Sequence, residues 1–96
     1  MEIKWLRLAL KDLDEIYEYI AEDNITAASK TVNNIWNESI ILKHHPESGR
    51  EGRVPGTREL YIKNTHYIIP YRIKNSNVEI LRVIHTSRNW PSFFKE

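Results

Sequence analysis

The sequence has no cysteine, only three glycines and four prolines among 96 residues, and no long apolar run. Each shortage removes an option. Without thiols there is neither a disulfide framework nor a thiolate metal site, and a reducing compartment is compatible with the chain. No stretch approaches the roughly 18 apolar residues that span a bilayer, so no membrane partner is expected. The opening Met1-Glu2-Ile3-Lys4-Trp5-Leu6 lacks the layout of a secretory signal. A cytoplasmic protein with one domain over residues 1–96 is the expectation. All three glycines fall between residues 49 and 56, which confines the loop chemistry to one place.

What is present fits a globular chain: 41% apolar and 28% charged residues. The net charge of +1 hides a split. Residues 1–48 hold five Lys/Arg against nine Asp/Glu, and residues 49–96 hold nine against four. The basic half points to an acidic partner, nucleic acid or protein, or else the two halves attract each other across the fold.

Ile3 and Trp5 alternate with Lys4, which suits a short strand. From Leu8 the period becomes helical, with Leu10, Leu13, Tyr17 and Ile20 as the apolar stripe; Arg7 stands where a capping side chain would help. Asp23-Asn24 breaks this helix and caps a second, whose stripe is Ala28, Val32, Ile35, Ser39 and Leu42, widened by Trp36 and Ile40. His45-Pro46 ends it. His44 and His45 suit the helix dipole, and neither a third His nor a carboxylate lies at ligand spacing, so no metal or other cofactor is expected.

Pro46 to Gly56 reads as a loop; it lacks the Lys-Ser/Thr ending of a phosphate-binding loop. Three strands follow, Gly52 to Ile62, His66 to Ile73 and Val78 to His85, joined by Asn64-Thr65 and Asn75-Ser76-Asn77. Leu60 and Ile62 face away from Glu59 and Tyr61. Tyr67, Ile69, Tyr71 and Ile73 oppose His66, Ile68, Pro70 and Arg72. Val78, Ile80, Arg82 and Ile84 oppose Glu79, Leu81, Val83 and His85. The last strand is apolar on both faces and reads as interior. Pro70 lacks a ladder donor and belongs at an edge or a bulge. The tail from Thr86 carries Trp90, Phe93 and Phe94, too apolar for a free end; it folds back or a partner covers it. The expected fold is α+β: an N-terminal strand and an antiparallel two-helix hairpin packed on a mostly antiparallel sheet with a three-stranded C-terminal meander.

Several short stretches, in this order, resemble one family. They are Tyr19-Ile20-Ala21-Glu22-Asp23-Asn24 with Ala27-Ala28; Gly49-Arg50; Gly52-Arg53-Val54-Pro55-Gly56-Thr57-Arg58-Glu59-Leu60; Tyr71-Arg72; Val78 to His85; and Arg88 with Trp90-Pro91. Over nearly its full length the chain resembles the RelE/ParE superfamily of small bacterial toxins. The resemblance implies the toxin of a type II toxin–antitoxin pair, with a cognate antitoxin as partner and a homodimer or toxin–antitoxin hetero-oligomer as assembly. ParE-like members poison DNA gyrase; RelE-like members cut mRNA on the ribosome. Fold does not separate the two.

A metal-free RNase needs a base, an acid and a cation for the phosphate charge. Arg58, Arg82, His85 and Arg88, with Glu59, are the candidates for that chemistry. Each has a plainer reading: His85 as a packed strand-end histidine bonded to a carbonyl, Arg82 as the ion-pair partner of an acid such as Glu59, Arg58 as a solvated charge. RelE-like nucleases tend to carry Arg after the Tyr of the middle strand, where this chain has Ile68. They also tend to end in a functional Tyr, where this chain has Trp90. The resemblance is therefore closer to the ParE-like branch, in which Arg50, Arg53, Arg58 and Trp90 would meet the target and Trp90, Phe93 and Phe94 the antitoxin. An inactive relative that only binds antitoxin is the third reading.

Overall fold

The computed structural model describes residues 1–95; Glu96, the last residue of the tail, lies outside them. Strand β1 (Glu2–Trp5) leads into helices α1 (Arg7–Ala21) and α2 (Ile25–Ser39), the second extended by a 3₁₀ turn over Ile40–Lys43. Strands β2 (Arg50–Glu51), β3 (Arg58–Tyr61), β4 (Tyr67–Lys74), β5 (Asn77–Ile80) and β6 (Ile84–His85) follow. They form one sheet in the order β1-β5-β4-β3-β2, with β6 also on β4; β1 and β5 are parallel and the other pairs antiparallel. This is the α+β arrangement expected. Among the described residues, no helix is long and apolar enough to cross a membrane.

Local chemistry sets the element ends. Asn24 caps α2 by accepting from the Ala27 N–H at 2.9 Å. α1 has no side-chain cap, as expected, but the cap position is Leu6, and Arg7 is the first helical residue. The stripe of α2 holds at Ala28, Ile35, Ser39 and Leu42, which are buried, the tighter last turn keeping Leu42 inward. Trp36 and Ile40 do not widen it: they lie at its rim, 45% and 48% exposed. The stripe of α1 is rotated by one residue from the expected one. Ala9, Asp12, Leu13 and Ile16 are buried, while Leu10 is 45% and Tyr17 36% exposed. Two overlapping helical patterns share Leu13 and Ile20, and the choice falls to the one that turns Asp12 inward to a cationic partner.

The loop after α2 is more ordered than expected, because Arg50 and Glu51 pair with Glu59 and Arg58 as an added edge strand. The first strand of the meander starts at Arg58, since Gly52 to Thr57 closes on itself through Gly52 N–H to Thr57 O (2.8 Å) and Thr57 N–H to Val54 O (3.2 Å). Gly56 there takes φ +80°, a conformation that favours glycine. At Gly49 a Cβ would lie 2.6 Å from the Tyr71 ring, so only glycine fits. Its N–H donates to the Tyr71 hydroxyl (2.8 Å), which donates to Pro46 O (2.6 Å).

The expected third strand is split. Tyr71 pairs with Ile80 and Ile68 with Ile84, so three steps on β4 face four on its partner: a β-bulge. Pro70 sits at it. The Pro70 carbonyl accepts from the Leu81 N–H at 3.0 Å. In an antiparallel strand a residue's N–H and C=O point to the same neighbour, so the donor that Pro70 lacks falls at the bulge and the β3 ladder is spared. The bulge also flips the alternation after it. Val83 joins the helix-side core with Val78, Ile80, Ile69 and Tyr71, while Ile84 is buried outside that cluster, across from Ile68. The expected grouping of Ile84 with Val78 and of Val83 with Leu81 is thus reversed.

Candidate functional site

Two carboxylates organise the polar chemistry. Asp12, on α1, accepts from Arg82 Nε (2.7 Å) and Nη2 (3.0 Å) and from the Val83 N–H (2.9 Å). Arg82 is therefore ion-paired as one reading held, but with Asp12 and not with Glu59. The correction follows from the faces: Arg82 comes after Val78 and Ile80, which line the helix-side core, and meets Asp12 on α1, whereas Glu59, opposite Pro70, faces away from the helices. Glu59 is held by Arg53 instead, through its N–H (2.8 Å), Nε (3.0 Å) and Nη2 (3.1 Å). Burial alone pushes the Glu59 carboxyl up, but the Arg53 bonds more than offset it and the net pKa lies below the ordinary value. Asp12 and Glu59 each raise the pKa of the guanidinium they hold.

An open groove of about 870 Å³ runs between α1 and the end of the chain, lined among others by Asp12, Glu15, Tyr19, Tyr67, Arg82, His85, Arg88 and Trp90. The structure brings Arg82, His85, Arg88 and Trp90 to this groove; Arg58 does not line it. Arg58 lies on β3, across β4 from Arg82, and donates to Gly49 O (2.8 Å) and Glu47 O (3.4 Å). His85 packs edge-on to Tyr67 (5.2 Å between ring centres) and beside His66 (5.6 Å). Its Nδ1 accepts from the Ser87 N–H (3.1 Å), so it is a packed strand-end histidine that accepts a backbone bond where donation to a carbonyl was expected. That acceptor role puts the proton of the neutral ring on Nε2. Burial raises the Tyr67 pKa despite the nearby Arg88, which keeps its hydroxyl protonated.

Arg50 and Arg53 each place the guanidinium over an aromatic ring. The Arg53 guanidinium is 3.8 Å from the Trp90 ring centre and that of Arg50 4.3 Å from the Tyr61 ring centre, with an Arg50 Nη2 bond to the Tyr61 hydroxyl. The tail is thus folded back at Trp90, which also meets Phe94 edge-on, while Phe93 is 64% exposed. Among the described residues, the buried Trp90 Nε1 is the one buried side-chain nitrogen or oxygen without a hydrogen-bond partner. No group of three His, Asp or Glu among the described residues is placed to hold a metal ion.

Asp12, Glu15, Tyr19, Tyr61 and Tyr67 escaped the sequence reading as site residues. Asp12 carries a signal: on the stripe Ala9, Leu13, Ile16, Ile20 it is a carboxylate on an apolar face, which calls for a buried cation. Tyr61 is marked only by sharing a strand face with Glu59.

Over residues 3–90 the sequence matches the family model described as the ParE toxin of the type II toxin–antitoxin system parDE. It is 46% identical over 89 residues to Y4kP of Sinorhizobium fredii, which carries a toxin's name, covering 93% of this chain and 92% of that one. It is 30% identical over 87 residues to toxin RelE2 of Caulobacter vibrioides, covering 91% and 97%. A chain from the solved chromosomal ParDE toxin–antitoxin system of P. aeruginosa superposes with a TM-score of 0.81 at 33% identity, covering 88% of this chain and 95% of that one.

Proposed function

This chain belongs to the ParE toxin family of type II toxin–antitoxin systems, and from that premise we propose that it arrests bacterial growth by binding and inhibiting DNA gyrase until a co-encoded antitoxin neutralises it. The observation that supports a binding role over a nuclease is the state of Arg82. Its guanidinium is committed to a buried carboxylate, so it offers little positive field to a scissile phosphate, and Arg58 is on the other side of β4. Arg50 and Arg53 instead lie over Tyr61 and Trp90. Arg53 is itself paired with Glu59, but its side chain stays about half exposed, so the four groups form a guanidinium and aromatic surface of the composition enriched at the centres of protein interfaces. Phe93 and Phe94 beside it suit an antitoxin segment. The purified chain should inhibit gyrase supercoiling, and Arg50→Glu with Trp90→Ala should abolish that inhibition. No inhibition at large molar excess overturns the proposal.

A second reading, ribosome-dependent mRNA cleavage, draws on the meeting of His85, Arg88 and Tyr67 in the groove. It requires codon-positioned cuts in the mRNA of arrested cells, mapped by primer extension, and their loss in His85→Ala.

A further inference from the structure

We infer that β1 is a self-pairing edge through which two copies of this chain associate about a two-fold axis at Ile3. β1 ends the sheet, and among the described residues nothing pairs with its outer side. The direction of its backbone groups follows from the bonds to β5: the Leu6 N–H reaches Ile80 O at 3.0 Å, and the Glu2 N–H faces the Asn77 side chain. Even-numbered residues therefore point inward, and Ile3 and Trp5 present their N–H and C=O to the open edge. An antiparallel partner needs outward-pointing residues opposite each other.

Centres on Glu2, Ile3, Lys4 and Trp5 all meet that need, and the Trp5 centre falls at the strand's end, two residues before α1 begins, which leaves three to weigh. Centring on Glu2 sets Glu2 against Glu2 of the second copy, and centring on Lys4 sets Lys4 against Lys4. Both oppose like charges, which disfavours the pairing. Centring on Ile3 makes Ile3 a doubly bonded pair and sets Glu2 opposite Lys4 of the second copy, twice. These fall at the non-hydrogen-bonded sites, where Cα atoms approach to about 4.5 Å and side chains interact most.

The other face agrees. Trp5 stacks on Trp36 at 5.0 Å, and Met1, Trp36 and Ile40 are each about half exposed (47%, 45% and 48%). In the Ile3 register, Met1 of one copy lies across from Trp5 of the other and so beside its Trp36. An exposed edge strand is ordinarily protected by charges that repel a second copy; here the order Glu-Ile-Lys is complementary to its own reverse.

Sedimentation velocity on the full chain tests this, from about 1 to 100 µM, the range that populates a micromolar dimer. A dimer is expected. Lys4→Glu and Glu2→Lys should each weaken it by about tenfold or more, and the double exchange Glu2→Lys/Lys4→Glu should restore it. Circular dichroism confirms that each variant is folded. A chain that stays monomeric to the top of the range overturns the inference, as does a dimer indifferent to the single exchanges or not rescued by the double one.

Discussion

Asp12 and Glu59 accept the same three bonds, a two-pronged guanidinium and one backbone N–H, yet Asp12 reaches partners 70 and 71 residues along the chain and Glu59 a partner only 6 away. The first clamp closes only when the helical hairpin has docked on the sheet, because it ties α1 to the bulge after β5. The second closes within one loop and the strand that follows it, and it holds Arg53 against Trp90. The same chemistry is thus a seam of the fold in one place and a device that shapes an outer surface in the other. The exposures agree: the Arg82 and Asp12 side chains are 33% and 10% exposed, those of Arg53 and Glu59 46% and 2%.

Breaking the seam should have the largest effect. Asp12→Ala leaves the Arg82 guanidinium and the Val83 N–H without their acceptor in a largely buried setting, at a cost of about 3 kcal/mol. Urea denaturation at neutral pH measures it. Asp12→Asn, which keeps an oxygen for Val83, should lose less. A loss below about 1 kcal/mol in the alanine variant would remove the distinction between the two clamps.

Glu59→Gln should cost less, about 1–2 kcal/mol, because water replaces much of what the half-exposed Arg53 loses. The same clamp gives a pH signature. The folded pKa of Glu59 lies below the unfolded one, so its stabilisation is fully present above about pH 4.3, the ordinary glutamate value. It is lost as the pH falls through the lower, folded value. The stability of the native chain should decline on acidification across that window, and Glu59→Gln should flatten that part of the decline. An unchanged acid limb would mean that other carboxylates set it.

This contrast was only half legible in the sequence. The hairpin, its Asn24 cap, the apolar strands and the trouble at Pro70 were readable, since each rests on local chemistry. The position of Asp12 was not. The one-residue rotation of the α1 stripe is decided by a cation 70 residues away, and two interleaved patterns of equal period give local reasoning no means to choose. The exchange of faces between Val83 and Ile84 was hidden for a similar reason: alternation assumes an unbroken strand, and Pro70 gives the bulge without its length. Of the four residues named for nuclease chemistry, Arg82, His85 and Arg88 do meet at one groove and Arg58 does not, while Trp90, named for binding, joins them in that groove. Its opposite wall, Glu15 and Tyr19 on α1, became visible only with the helix in place.

The finest test applies one conservative change to both clamps. Lysine keeps the charge but replaces a flat fork of donors by a point charge on a flexible stem, so it cannot span a carboxylate and covers less of an indole face than a stacked guanidinium does. In Arg82→Lys the buried Asp12 loses a bond that water replaces poorly, and the cost should be about 1–2 kcal/mol. In Arg53→Lys the charged head is already half in water, and the cost should be about 0.5 kcal/mol. The signature of the second change is local. Trp90 loses its cover, so amide hydrogen exchange should quicken from Thr86 through Phe94 while the helices stay protected. If Arg53→Lys costs as much as Arg82→Lys, or if protection falls across α1 as well, the Glu59 clamp is part of the seam and the surface it shapes is not independent of the fold.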